Sequence, residues 1–118
     1  MDIRGRDLEE CSVFELEGSL DLHSVHDLKN LFHHLKNKNK NIIFDFSAVK
    51  KIDSSGIGCL MFGQKLLAKS DKKIKITNLN SQVKIIFQIT RGYEFFEIFD
   101  ELERAISSTE KMNNKEAA

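Results

Sequence analysis

The stretch "KKIDSSGIG", residues 50–58, sets two adjacent hydroxyls, Ser54 and Ser55, beside a carboxylate, Asp53, and two glycines, Gly56 and Gly58. The apolar run before it, "NIIFDFSAV", reads as a buried strand and its exit, and the run after it, "CLMFGQKLLAK", reads as a helix. The hydroxyls therefore fall where a strand becomes a helix. A helix start carries unpaired backbone N–H groups and the positive end of the helix dipole. Ser54 or Ser55 can cap such a start, and the two glycines let other backbone approach it. The same N–H groups also suit a phosphate group. The site can thus be a plain helix cap, a nucleophile or an acceptor of phosphate.

The nucleophile reading is weak. "DSSGIG" does not match the G-x-S-x-G elbow of serine hydrolases. The candidate bases, His23, His26, His33 and His34, lie on or beside one helix among Lys, Asn and Asp, and only His23 stands in a turn, "SLDLHS". A metal reading would need Asp21, Asp45 and Asp53 to converge at strand ends, where three carboxylates could hold Mg²⁺. The acidic pair of a phosphate-accepting receiver domain is missing from "FELEGSLD", and there is no Walker loop, G-x-G-x-x-G motif or zinc-spaced Cys/His group. "GYEFFEIF" is aromatic but flanked by acids, which suits a core better than a base-stacking platform.

Hydrophobic spacing supplies the elements that must position these residues. "DIRGRD" reads as a short first strand. "CSVFELEG" alternates and ends at Gly18 as a second strand. Val25, Leu28, Leu31, Phe32 and Leu35 form one helical stripe, with Ser24 as its cap and Asp27 three residues on. "NIIFDF" suits a central strand buried on both faces. The next helix spans about Ser55 to Lys69. "KKIKITN" alternates as a strand ending near Asn78. "SQVKIIFQIT" is a helix stopped by Gly92, "EFFEIFD" is a short strand, and "DELERAIS" is a last helix. The order predicts an α/β fold: a mixed, mostly parallel sheet of four to five strands behind an initial hairpin, with about four helices.

With 118 residues the chain suits one domain. Apolar residues make up 41% and charged residues 31%, and eighteen basic residues balance eighteen acidic ones. A zero total gives no general field for phosphate backbones, which argues against nucleic acid as the main ligand and leaves room only for a local basic patch. Cys11 and Cys59 form no C-x-x-C and read as buried thiols. "MDIRGRDLEE" lacks the apolar stretch of a signal peptide, and no run nears the roughly twenty apolar residues of a bilayer span. The expectation is a cytoplasmic protein without membrane insertion.

The run "IIFDFSAVKKIDSSGIGCLMFGQKLLAK" resembles the central motif of STAS-domain proteins, above all the bacterial anti-sigma factor antagonists. "FELEGSLDLHSVHDLKNLF" is similar to the family's strand, Asp turn and first helix. "KIKITNLNSQVKIIFQITRGYEFFEIFDELERAI" is similar to its closing elements. The resemblance covers roughly residues 3 to 107 and implies a STAS domain over 1–108; "STEKMNNKEAA" has little to bury, so a flexible tail is expected over 109–118. It departs from the family at Ser81-Gln82, where Ser-Pro is usual, and at Leu22, where many members carry a polar residue.

The resemblance implies a switch that needs no cofactor and performs no catalysis. Its second serine, here Ser55, is the phosphorylation site. The unphosphorylated form binds an anti-sigma factor that is also a GHKL-type serine kinase and so frees a sigma factor. A PP2C-type phosphatase restores it. The partner face is expected to join the "SLDLHS" and "DSSGIG" turns, through Asp21, His23, Ser24, Asp53, Ser54, Gly56, Ile57, Gly58 and Met61. Asp21 is expected to make a polar contact with the partner or the Ser55 hydroxyl, or else to cap its own turn. Ile57 and Met61 form an apolar strip beside the switch or else belong to the core. The alternative function is a STAS scaffold, or a cytoplasmic subunit of a signalling or transport complex.

Overall fold

The computed structural model describes the backbone of residues 1–117 and the side chains of residues 1–110. Its elements follow the order β1 (Asp2–Asp7), β2 (Cys11–Leu20), α1 (Val25–Leu35), β3 (Asn41–Ile52), α2 (Ser54–Ala68), β4 (Ile74–Thr77), α3 (Ser81–Ile89), a 3-10 turn (Gly92–Glu94), β5 (Glu97–Phe99) and α4 (Leu102–Ala117). The five strands lie side by side in sequence order. β1 and β2 form an antiparallel hairpin, and every later neighbour is parallel. This is the mixed, mostly parallel α/β sheet with four helices that the alternation predicts.

Alternating side chains divide the sheet into two buried faces. On one, Leu16 and Leu20 of β2, Ile42, Phe44 and Phe46 of β3, and Ile74 and Ile76 of β4 pack against the apolar stripes of α1, α2 and α3. On the other, Cys11, Val13 and Ile43 pack against Ala105 of α4, with Leu102 and Ile106 beside it. Phe32 of α1 meets Phe44 edge-on at 5.8 Å. Gly63 of α2 lies directly against the Phe32 ring, so a Cβ there would run into it. That contact draws α1 and α2 together as a pair.

Several boundaries move. β2 runs past Gly18 to Leu20, because Gly18 takes φ +110° at a register shift in place of ending the strand. β3 is about twice its apolar core: after "NIIFDF" it continues through Val49 to Ile52, held by pairing with β2. The left-handed residue after α3 is Arg91, not Gly92; its guanidinium pairs with Glu94 at 2.9 Å. Gly92 is needed for space, since a Cβ would sit 2.6 Å from the Phe87 ring. Lys75, in the alternating strand "KKIKITN", is only 1% exposed, because α4 covers that face. Its ammonium is held by Ser108 Oγ at 2.7 Å and Glu97 at 3.3 Å. The last helix also outruns "DELERAIS", crossing into the expected tail with Thr109 buried. Ala118 and the tail's side chains beyond 110 lie outside the described residues.

Candidate functional site

The candidate site lies at the end of the sheet where β2 and β3 finish. Leu20 and Ile52, the last residues of the two strands, are register partners. The turns that follow therefore emerge side by side, and they are tied together. Asp53 N–H donates to Leu20 O at 3.2 Å, and Leu22 N–H donates to Asp53 Oδ2 at 3.4 Å. Gly56 seals the joint from below: a Cβ would lie 2.6 Å from Leu20 O and 2.8 Å from Ile52 Cγ1. Only glycine lets α2 start this close to the end of β2.

In the first turn the Ser24 hydroxyl and the Asp21 carboxylate are used within the turn. The Ser24 hydroxyl donates to Ser19 O at 2.7 Å and accepts from Asp21 N–H at 2.9 Å. The Asp21 carboxylate accepts from His23 N–H at 3.0 Å. One expectation is corrected here, and of the roles expected for Asp21 the structure shows the capping of its own turn. Ser24 stands at the cap position but makes no side-chain cap bond. Its hydroxyl closes the turn before the helix, and the residue is 6% exposed. Asp21 takes the turn-closing role, with no bond to Ser55. His23 and Leu22 point outward, and Leu22 is 68% exposed.

The second turn is built differently. α2 starts at Ser54, and the capping residue is Asp53, not either serine. Its Oδ1 accepts from Gly56 N–H at 3.1 Å, and its backbone carbonyl accepts the first helical bond from Ile57 at 3.2 Å. An acidic cap suits the positive helix end. Ser54 and Ser55 thus occupy the first two helical positions, and neither hydroxyl has a hydrogen-bond partner among the described residues. Ser54 is exposed and Ser55 half-buried. Ile57 turns inward and is 3% exposed, so it belongs to the core, whereas Met61 is half-buried at its edge. Gly58 is exposed, with nothing within 4 Å of where a Cβ would stand.

The metal reading finds no geometry. Asp45 is buried lower on β3, where it accepts from Ser47 N–H and Asn78 Nδ2, and no group of three His, Cys, Asp or Glu among the described residues could hold an ion. Cys59 is a structural thiol beneath the site. It donates to Val25 O at 3.6 Å, and burial pushes its pKa up to about 11. Leu22 lies in the turn expected at the partner face but was not among the residues named for it. Its departure from the family's polar pattern was the signal, and it stands 68% exposed with its N–H on Asp53.

A family model described as the STAS domain matches residues 3–105. Among solved structures, an anti-sigma factor antagonist from Mycobacterium paratuberculosis superposes with a TM-score of 0.83 at 17% identity, over 92% of this chain and 93% of that one. The Bacillus cell fate determinant SpoIIAA in its phosphorylated form gives 0.68 at 22%, over 91% and 98%. The murine solute carrier 26 family member A9 anion transporter gives 0.75 at 15%, over 90% of this chain but 18% of the transporter. At these identities the likeness shows a shared fold. No helix among the described residues is long and apolar enough to cross a membrane.

Proposed function

This chain belongs to the STAS domain family, and we propose that within it the chain is an anti-sigma factor antagonist switched by phosphorylation of Ser55. In this reading the unmodified protein binds, in the cytoplasm, an anti-sigma factor that is also a GHKL-type serine kinase. Binding frees the sigma factor, the kinase then phosphorylates Ser55, and the complex falls apart. A PP2C-type phosphatase resets the cycle. The chain is a substrate and a binding partner rather than an enzyme.

The observation that carries this reading is the division of labour at the start of α2. Asp53 does the capping, so the Ser55 hydroxyl is left without a structural task. Phosphorylation would add nearly two negative charges and three acceptor oxygens. At a helix N-terminus that charge is compatible with the fold. In an interface it repels acidic groups and strips water from itself, and each lost 1.4 kcal/mol or so weakens a complex tenfold. The partner face would comprise Leu22, His23, Ser54, Gly58 and Met61 around Ser55, with Asp21, Ser24, Asp53, Gly56 and Ile57 building it from behind.

The test is to incubate the wild type, Ser54→Ala and Ser55→Ala with the kinase and ATP, then map the phosphate by mass spectrometry. Phosphate on Ser55 in the wild type and in Ser54→Ala, and none on Ser55→Ala, is the expected result. A Ser55→Ala protein that still takes up phosphate removes the claim. The likeness to a domain of a transporter keeps a second reading, a STAS scaffold or transport subunit. It predicts a partner that binds Ser55→Asp as well as the wild type.

A further inference from the structure

From the face shared by α1 and α2 we infer that the partner reading Ser55 is seated on a basic strip with an apolar centre, and that its own contact surface is acidic. The inference rests on the proposed switch and names the chemistry of its partner. Although the whole chain is neutral, α2 carries no carboxylate between Asp53 and Asp71, and the chain carries none between Asp27 and Asp45. The first stretch carries Lys65 and Lys69, and the second Lys29, Lys36, Lys38 and Lys40. The centre of the face is Phe62 of α2. Lys29 Nζ lies 5.8 Å from the Phe62 ring centre, and the His33 ring packs at 5.8 Å. Lys65 and Lys69 follow Phe62 by three and seven residues, so they continue the strip along the same side of α2 and onto its C-terminal cap, and both are exposed. None of Lys29, Lys65 or Lys69 has an ion-pair partner among the described residues.

The strip runs into the switch. Gly58 lies one helical turn from both Ser55 and Phe62, and its missing side chain leaves open surface between them. Glycine inside a helix is destabilising relative to alanine, and nothing crowds this position, so the fold alone does not call for it. A surface that must admit a second protein's backbone does. Continuity with Ser55 favours a protein over a membrane or an RNA. The Phe62 ring is flanked by Lys29, His33 and Phe32 and does not project, so it has neither the reach to enter a bilayer nor a free face for a base. Acidic groups on the partner also explain the switch's sign: they are attracted to lysines and repelled by phosphoserine one turn away.

The experiment uses the full chain and, as probe, the purified kinase that modifies Ser55, titrated calorimetrically at low and high salt. Lys65→Glu/Lys69→Glu is expected to bind roughly tenfold more weakly or worse, Lys65→Arg/Lys69→Arg to bind as the wild type does, and wild-type affinity to fall with salt. Circular dichroism checks that each variant is folded. Wild-type affinity in the Glu pair, with Ser55→Asp still unable to bind, overturns the inference and leaves the switch standing. Full binding by Ser55→Asp removes the switch and the inference with it. Vesicles containing phosphatidylserine and a single-stranded RNA serve as further probes. Binding to either that the Glu pair abolishes, while kinase affinity is unchanged, assigns the strip to that ligand and overturns the inference.

Discussion

The turns after β2 and β3 sit side by side at one end of the sheet, and each places serine where a helix begins. They use it in opposite ways. Ser24 is buried, with its hydroxyl bonded to Ser19 O and Asp21 N–H, so it is part of the fold. At the start of α2 an aspartate does the closing, and the Ser54 and Ser55 hydroxyls are left over. The contrast teaches that a serine's position at a helix start does not decide its role. What decides it is whether another group already satisfies the backbone there. A hydroxyl with nothing to hold can be modified at little cost to the fold.

Four substitutions probe that contrast, in falling order of expected effect. Gly56→Val should be the most damaging, because its side chain meets the Leu20 carbonyl, which cannot give way. Overpacking of this kind costs about 3 kcal/mol, and chemical denaturation should show it along with loss of the joint between the turns. Ser24→Ala strands the Ser19 carbonyl and the Asp21 N–H, an expected loss of about 1–3 kcal/mol. Asp53→Ala removes the cap of α2 and should cost about 1 kcal/mol, read as a lower urea midpoint with an unchanged slope. Ser55→Ala should change stability by no more than about 0.5 kcal/mol. Equal losses for Ser24→Ala and Ser55→Ala would erase the distinction between the two turns.

The order of elements, the initial hairpin and the motif's place at a strand–helix joint were legible because they rest on periodicity and on local turn chemistry. The finer division of roles was not. "LHSVHD" offers Ser24 as a cap with Asp27 three residues on, yet the hydroxyl turns back to Ser19, a bond set by the path of β2 past Gly18. In "DSSG" three residues can cap, and the choice of Asp53 depends on where β3 ends. That end is fixed by pairing with β2 rather than by the apolar run. Ile57 reads equally as strip or core until the sheet beneath α2 is in place. The alternation of "KKIKITN" marks a strand but does not tell whether Lys75 is covered; α4, packed from far along the chain, buries it.

The central claim is that Ser55 serves the switch and not the fold, and one paired measurement on Ser55→Asp tests it. Its denaturation midpoint is measured beside the wild type, and both proteins are titrated with the purified kinase. The helix end favours the new carboxylate and the neighbouring Asp53 opposes it, so stability should stay within about 0.5 kcal/mol of wild type. Affinity for the kinase should fall by roughly a hundredfold or more, equivalent to about 2.7 kcal/mol or more. Unchanged affinity, or a loss of stability as large as that of Ser24→Ala, would contradict the account.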